Sequence, residues 1–183
     1  MNKTIFRFKF FDMPVSVPRS GLIGSIILDV ICTILALIFT NLTPLDALIV
    51  GILATSIHWF SDFIHQYGHF FAAKQVGKPA TGLRVWWILG TTRYPENEGQ
   101  LSPQTHAKRA IGGPVASAIL LIIFLILWCF FGATGGALQF LLAWGIFINF
   151  FVFFAGALTP VSIGWFSTDG ATLLQSWQQM REK

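Results

Sequence analysis

Long apolar runs separated by short polar connections dominate the sequence. Four of them, at 22–40, 45–73, 110–131 and 137–158, approach or exceed the roughly 20 residues that an α-helix needs to cross a bilayer. The second run is interrupted by several polar residues. The pattern predicts an all-α polytopic membrane protein with about four transmembrane helices, organised as a single membrane domain over residues 1–183.

Two shorter segments alternate apolar and polar residues, as β-strands do. Residues 4–18 carry such an alternation on either side of a turn at Asp12-Met13-Pro14, which predicts an N-terminal β-hairpin. The 76–109 loop contains a second strand pair, around residues 83–88 and 90–94. The two hairpins are expected to form a small sheet on the cytoplasmic side. Residues 160–183 are expected to form a loop followed by a C-terminal helix.

The composition supports the membrane interpretation. Hydrophobic residues make up 54% of the chain and charged residues 11%, with a mean hydropathy of +0.66, whereas soluble domains carry about 25% charged residues. These values exclude a soluble globule and a disordered chain. Cys32 and Cys129 lie in apolar runs and do not suggest a disulfide scaffold. The basic residues form no stripe interleaved with aromatics, which argues against a nucleic-acid partner.

The distribution of basic residues predicts the topology. All 12 Lys and Arg residues precede the first span, lie between the second and third spans, or follow the fourth; the short connections at 41–44 and 132–136 have none. The positive-inside rule therefore places both termini and the middle loop in the cytoplasm, and a bacterial-type inner membrane is the expected location. Because no signal-peptide cleavage site follows the first span, we expect it to remain as an anchor.

Candidate chemistry is concentrated in the second span. His65 and His69 are four residues apart, so they share one helical face and can bind one zinc ion. His58 and Asp62 extend the same polar stripe towards the N-terminus. Such a stripe is costly in lipid, so it should face the interior of the helix bundle.

A zinc site needs a third ligand, and the candidate carboxylates near the membrane are Asp29, Asp46, Asp62 and Asp169. Asp169 follows the fourth span on the same predicted side as His69, so both can reach one membrane depth. The alternative role for Asp169 is to cap a helix at 171–180, which Thr168 could also do.

At this point the sequence resembles the site-2 proteases, a family of intramembrane zinc metallopeptidases. Residues 65–74, HQYGHFFAAK, resemble the family's H-E-x-G-H helix; Gly112-Gly113-Pro114 resembles its G-P-x-x-N motif; and Pro160 with Asp169-Gly170 resembles its N-x-x-P…D-G motif. The resemblance implies that His65, His69 and Asp169 bind Zn²⁺. It also implies an active site within the membrane, towards the cytoplasm, and membrane-embedded protein substrates.

The sequence departs from the family pattern at specific positions. Gln66 stands where the motif has its catalytic Glu, and an amide cannot act as the general base that takes a proton from water. Ser117 and Ala157 replace two motif asparagines, and nine positions separate Pro160 from Asp169, which is longer than usual. These changes predict a zinc-binding homologue with impaired or lost proteolysis.

Several alternatives stay open at this level. Asp62 could replace the missing base, or Gln66 could be an engineered substitution. A substrate strand is expected to add beside residues 83–88. A second hypothesis is a non-catalytic membrane protein that holds transmembrane partners in the same groove. A third is a small ion or proton transporter that uses His58 and Asp62 as its path. The role of Asp29 is left open.

Overall fold

The computed structural model describes residues 3–164 and 166–182, so Met1, Asn2, Trp165 and Lys183 of the predicted domain lie outside the described residues. Within these ranges, four helical segments are long and apolar enough to cross a membrane. They are α1 (Arg19–Phe39), α2 (Pro44–Gln75), α3 (Pro103–Phe131) and α4 (Gly136–Phe147), the last continued by a π-helical segment (Ile148–Gly156). A 3₁₀ turn (Gly132–Thr134) joins α3 to α4. The predicted four-helix architecture is confirmed, and the protein is an integral membrane protein.

The starts of α2 and α3 are set by capping residues. The side chain of Thr43 accepts a hydrogen bond from the amide of Asp46, and that of Ser102 accepts one from the amide of Thr105; a proline follows each cap. Helix α3 therefore begins seven residues before the predicted span at 110, and the predicted 76–109 loop ends at residue 102. The prediction was wrong here because it followed apolarity, and the first turns of α3 are polar.

Two hairpins form one four-stranded sheet, as predicted. Its strands are β1 (Thr4–Phe10), β2 (Met13–Pro18), β3 (Gly82–Trp86) and β4 (Leu89–Arg93), in that spatial order. Strand β2 joins β3 in a parallel pair in which Val15 lies opposite Leu83. On one face of the sheet, Met13, Val15, Leu83 and Val85 are buried against aromatic side chains of α2, so the sheet lies along the C-terminal half of that helix.

Helices α2 and α3 pack against each other at two glycines. A Cβ on Gly68 would lie 2.3 Å from the carbonyl oxygen of Gly112, and a Cβ on Gly112 would lie 2.4 Å from that of Gly68. Neither position has room for a side chain, which is the small-residue packing that membrane helices use to bring their backbones together. The HQYGH and Gly-Gly-Pro segments are therefore adjacent in the fold.

Between the fourth span and its last helix, the chain forms a short hairpin. Strands β5 (Ser162–Ile163) and β6 (Phe166–Ser167) form a small hairpin, and α5 (Asp169–Arg181) follows. The Thr168 hydroxyl donates to the Thr159 carbonyl at 2.6 Å, which closes the two ends of the hairpin. The long separation between Pro160 and Asp169 is thus absorbed by this hairpin, and Asp169 returns to the end of the fourth span.

Candidate metal centre

The polar stripe of α2 faces the protein interior. His58, Asp62, His65 and His69 have exposed fractions of 3%, 0%, 4% and 6%. This agrees with the expectation that polar groups on a membrane helix avoid lipid. The stripe divides into two parts, because His65 and His69 face α3 and α5 whereas His58 and Asp62 face the β3–β4 hairpin.

Three side chains of this region converge on one point. The Nε2 atoms of His65 and His69 lie 3.1 Å apart. Oδ2 of Asp169 lies 3.4 Å from the first and 3.3 Å from the second. In the described part of the chain, these residues form a group whose ligand atoms could reach a single metal ion. The structure therefore brings together the three residues that the sequence singled out.

The outer nitrogen of each imidazole ring has its own partner on α3. Nδ1 of His69 lies 2.9 Å from the carbonyl oxygen of Arg109, and Nδ1 of His65 lies 2.9 Å from the hydroxyl of Ser117. A carbonyl only accepts, so Nδ1 of His69 is the donor in the bond to Arg109, and its Nε2 is turned towards the convergence point. Partners of this kind orient the histidines of metal sites.

Gly113 leaves the space that the two rings occupy. A Cβ at this position would lie 2.2 Å from Nε2 of His69 and 2.6 Å from Nε2 of His65. The following Pro114 sits inside α3 and is completely buried. The Gly-Gly-Pro segment therefore makes room for the two histidine rings, because Gly113 has no side chain.

Asp169 is the first residue of α5, and its carboxylate is directed at the histidines. The helix is capped by Thr168, whose hydroxyl accepts from the amide of Ala171 at 3.3 Å, so Asp169 is released from the capping role. Burial alone would raise the pKa of the Asp169 carboxyl, but hydrogen bonds with His65 and His69 outweigh it and lower the pKa to about 2. Asp169 is thus held as a carboxylate.

The other carboxylates considered as third ligands lie elsewhere. Asp46 accepts a hydrogen bond from the hydroxyl of Thr43 at the start of α2. Asp29 is part of α1, near Cys32. Asp62 is completely buried but faces strand β4, where a Cβ on Gly90 would lie 2.5 Å from its Oδ2. The structure describes no hydrogen bond to either oxygen of Asp62.

Gln66, at the general-base position of the motif, is bonded to strand β4. Its Nε2 donates to the carbonyl of Gly90 at 2.9 Å, and its Oε1 accepts from the hydroxyl of Thr92 at 2.7 Å. The Gly90 carbonyl can only accept, so this position needs a donor that a carboxylate lacks. About two turns earlier in α2, His58 makes a similar link, with its Nε2 2.7 Å from the Ile88 carbonyl.

A buried ion pair beside the site was missed by the sequence reasoning. The guanidinium of Arg109 bonds both carboxylate oxygens of Glu98, at 2.8 and 3.1 Å, and the carbonyl of Lys78 at 3.0 Å. It also lies 3.8 Å above the ring of Tyr94, whose pKa burial raises to about 12. The sequence marks Arg109 only as a topology signal, because nothing in its spacing indicates a buried partner.

These groups line a common cavity of about 760 Å³. Its walls include both metal-site histidines, Asp169, Gln66, Asp62 and residues of β4 and the π-helical segment. Ala157, which replaces a motif asparagine, also lines it. The three candidate ligands therefore open into a cavity of this size. The structure is that of a membrane protein with a candidate metal centre beside a space for another molecule.

Comparisons with known proteins identify the fold. The structure resembles that of the site-2 protease from Methanocaldococcus jannaschii with a TM-score of 0.62 at 21% sequence identity, covering 96% of this chain and 72% of that one. Neither a family sequence model nor a curated protein sequence matches the chain. The chain therefore has a site-2-protease-like fold, as the sequence resemblance predicted.

Proposed function

We propose that the protein binds one zinc ion through His65, His69 and Asp169. The observation that best supports this proposal is the spacing of the three ligand atoms, which lie 3.1–3.4 Å apart. Zinc bonds of about 2.0–2.1 Å in tetrahedral geometry place neighbouring ligands about 3.3 Å apart. The donor set of two imidazoles and a carboxylate also suits zinc and leaves a fourth position for water or substrate.

We further propose that this centre belongs to a protease homologue whose hydrolysis is impaired. Zinc, when bound, supplies a Lewis acid that polarises a peptide carbonyl and activates water. The chain itself must supply the base, and Gln66 has no group that accepts a proton. Both ends of its amide are also engaged with β4, so it acts as a link between helix and strand.

The proposed partners are transmembrane segments of other membrane proteins, within a lipid bilayer. The strand addition predicted beside residues 83–88 finds no free edge at Leu83 and Arg84, because β3 is paired there with β2 on one side and with β4 on the other. Strand β4 ends the sheet and lines the cavity, so we place the added segment there. The proposed orientation keeps both termini in the cytoplasm, in a cell (inner) membrane.

Metal analysis of the purified protein tests the zinc proposal. We expect about one zinc per chain in the wild type and loss of the metal in His65→Ala, His69→Ala and Asp169→Ala. His106→Ala is the matched control, since this histidine lines the same cavity but lies outside the three-residue group. Its zinc content should equal that of the wild type. A wild type without zinc after reconstitution would contradict the proposal.

A second function, holding membrane partners without cleaving them, is favoured by the two bonds of the Gln66 amide. Cleavage of a membrane-embedded substrate by the wild type and by Gln66→Glu separates the two functions. Activity that appears only in Gln66→Glu, and disappears again in Gln66→Glu with Asp169→Ala, supports a disabled protease. Full zinc loading with no cleavage by either protein supports the holding function.

A further inference from the structure

A second cavity lies away from the candidate metal centre. It has a volume of about 660 Å³ and is bounded by strands β1 to β4 and the segment that follows β4. Four basic residues line it, Arg7, Lys9, Arg84 and Arg93, with one acidic residue, Glu96. We call this surface the basic face. None of these five charged residues lines the cavity of the candidate metal centre.

The strand register explains why the basic residues share one side of the sheet. Arg7 lies opposite Ser16, and Ser16 lies opposite Arg84, so these side chains form one row across three strands. Successive residues of a strand point to opposite faces. The neighbours of this row, Val15 and Leu83, accordingly point the other way and are buried against α2.

A second row has basic residues at its ends and two compact residues, Pro14 and Gly82, between them. Lys9 lies opposite Pro14, and Gly82 lies opposite Arg93. A Cβ on Gly82 would lie 2.5 Å from the carbonyl oxygen of Pro14, and its φ of +144° is one that side chains rarely adopt. The floor between the two cations therefore consists of the Pro14 ring and the Gly82 backbone, and the cavity above it has the volume to admit a small group such as a phosphate.

The sheet runs along α2, so its two ends lie at different levels of that helix, and in the proposed orientation at different depths in the membrane. At the β3–β4 turn, the carbonyl of Ile88 bonds to His58, near the middle of α2. At the other end, Phe11 packs on Tyr67 with ring centroids 5.3 Å apart. Nine residues separate His58 from Tyr67, a rise of about 13 Å along the helix.

The β3–β4 turn is apolar, whereas the opposite end of the sheet carries basic residues together with the exposed Phe11. At this turn, Trp86, Trp87 and Ile88 have exposed fractions of 40%, 43% and 41%. The carbonyl of Ile88 is hydrogen-bonded to His58. Lys9 and Arg93 lie at the opposite end of their strands. Cations at one end and exposed apolar side chains at the other match an amphiphile with an anionic head and a hydrocarbon tail.

We propose that the basic face binds the phosphate of an anionic phospholipid, with the acyl chains lying along the apolar turn. Arginine forks match phosphate geometry, and lysine adds a point charge. Basic residues near a membrane surface each favour anionic lipid by an amount that corresponds to several-fold in affinity. An acidic peptide would use the cations but would leave the exposed turn uncovered. The proposal is independent of zinc binding.

Lipid binding to the purified protein in a neutral detergent tests the proposal. The probes are phosphatidylglycerol, phosphatidylcholine and inorganic phosphate, with binding followed by native mass spectrometry. Wild type should bind phosphatidylglycerol, with phosphatidylcholine at least tenfold weaker. The double variant Arg7→Gln with Arg93→Gln should lose about tenfold or more in phosphatidylglycerol affinity. Arg7→Lys with Arg93→Lys, which keeps both charges, should lose much less.

The matched control removes two basic residues outside the basic face. Lys78→Gln with Lys108→Gln has the same net charge as the first double variant, and its phosphatidylglycerol affinity should equal that of the wild type. An equal loss in both double variants would overturn the proposal, because it would reflect net charge alone. Binding of inorganic phosphate as tight as that of the lipid would overturn it in favour of a free anion.

Discussion

Helix α2 uses two neighbouring residues for opposite purposes. His65 is directed at α3 and α5, where its ring meets His69 and Asp169. Gln66 is directed at the sheet, where its amide bonds to Gly90 and Thr92. On the first side three ligand atoms converge within reach of a single metal ion. The second is a complete set of hydrogen bonds, which is useful to the fold.

This difference separates two properties that the family resemblance joined. The geometry of the ligand side suits a metal centre, and both rings have partners on α3. At the position where the motif has Glu, Gln66 joins α2 to strand β4. The two sides of α2 have separate partners, so we expect that each can be perturbed without touching the other.

The largest effect is expected from filling the space beside the histidine rings. In Gly113→Ala, the new Cβ would lie 2.2 Å from Nε2 of His69 and would displace both rings. We expect near-complete loss of bound zinc, measured as metal per chain after purification.

Gly99→Ala is its control, since a Cβ there meets nothing within 4 Å, and it should keep its zinc. Full zinc occupancy in Gly113→Ala would mean that the rings can move aside, and the proposed ligand geometry would then have to be abandoned.

Next in size is the contact that sets the distance between α2 and α3. In Gly68→Ala, the Cβ would lie 2.3 Å from the Gly112 carbonyl, which is backbone and cannot rotate away. We expect the free energy of unfolding to fall by roughly 2–3 kcal/mol, as for overpacked cores. Denaturant titration in mixed micelles measures this, with Gly99→Ala again as the control. An unchanged stability would show that the helices can separate without cost.

On the ligand side of α2, much of the arrangement could be predicted from the sequence. Helical spacing places His65 and His69 on one face, and the Asp-Gly pair after the fourth span points to Asp169. The four helices and the two-hairpin sheet follow from apolar runs and from alternation. In each case the information is periodic or is carried by a recognisable motif.

The base side could not be predicted in the same way. The partners of Gln66 are a backbone carbonyl and the hydroxyl of a threonine in a strand, and neither has a pattern in the sequence. The pair of Arg109 with Glu98 depends on how an irregular loop folds back onto α3. The early start of α3 had a local signal, Ser102-Pro103, but the apolar run that begins at 110 concealed it.

A third prediction reverses the substitution at the base position. In Gln66→Glu, the carboxylate cannot donate to the Gly90 carbonyl, so two acceptors face each other. We expect the free energy of unfolding to fall by about 1–2 kcal/mol, the cost of an unsatisfied buried group. Cleavage activity should appear in the same protein. Gln66→Leu, which is similar in size but can neither donate nor accept a hydrogen bond, should also lose stability and should remain inactive. Equal stability of the wild type and both variants would mean that the hydrogen bonds of the Gln66 amide contribute nothing.

The smallest expected effect concerns the second bond of the Gln66 amide. Thr92→Val keeps the shape of the side chain but removes the hydroxyl that donates to Oε1 of Gln66 at 2.7 Å. We expect a loss of about 1 kcal/mol in unfolding free energy, the net value of one hydrogen bond, with zinc content unchanged. In the Gln66→Leu background the same substitution should cost almost nothing, because the acceptor has gone. An equal cost in both backgrounds would mean that Thr92 acts through packing, and that β4 is held to α2 by something other than this amide.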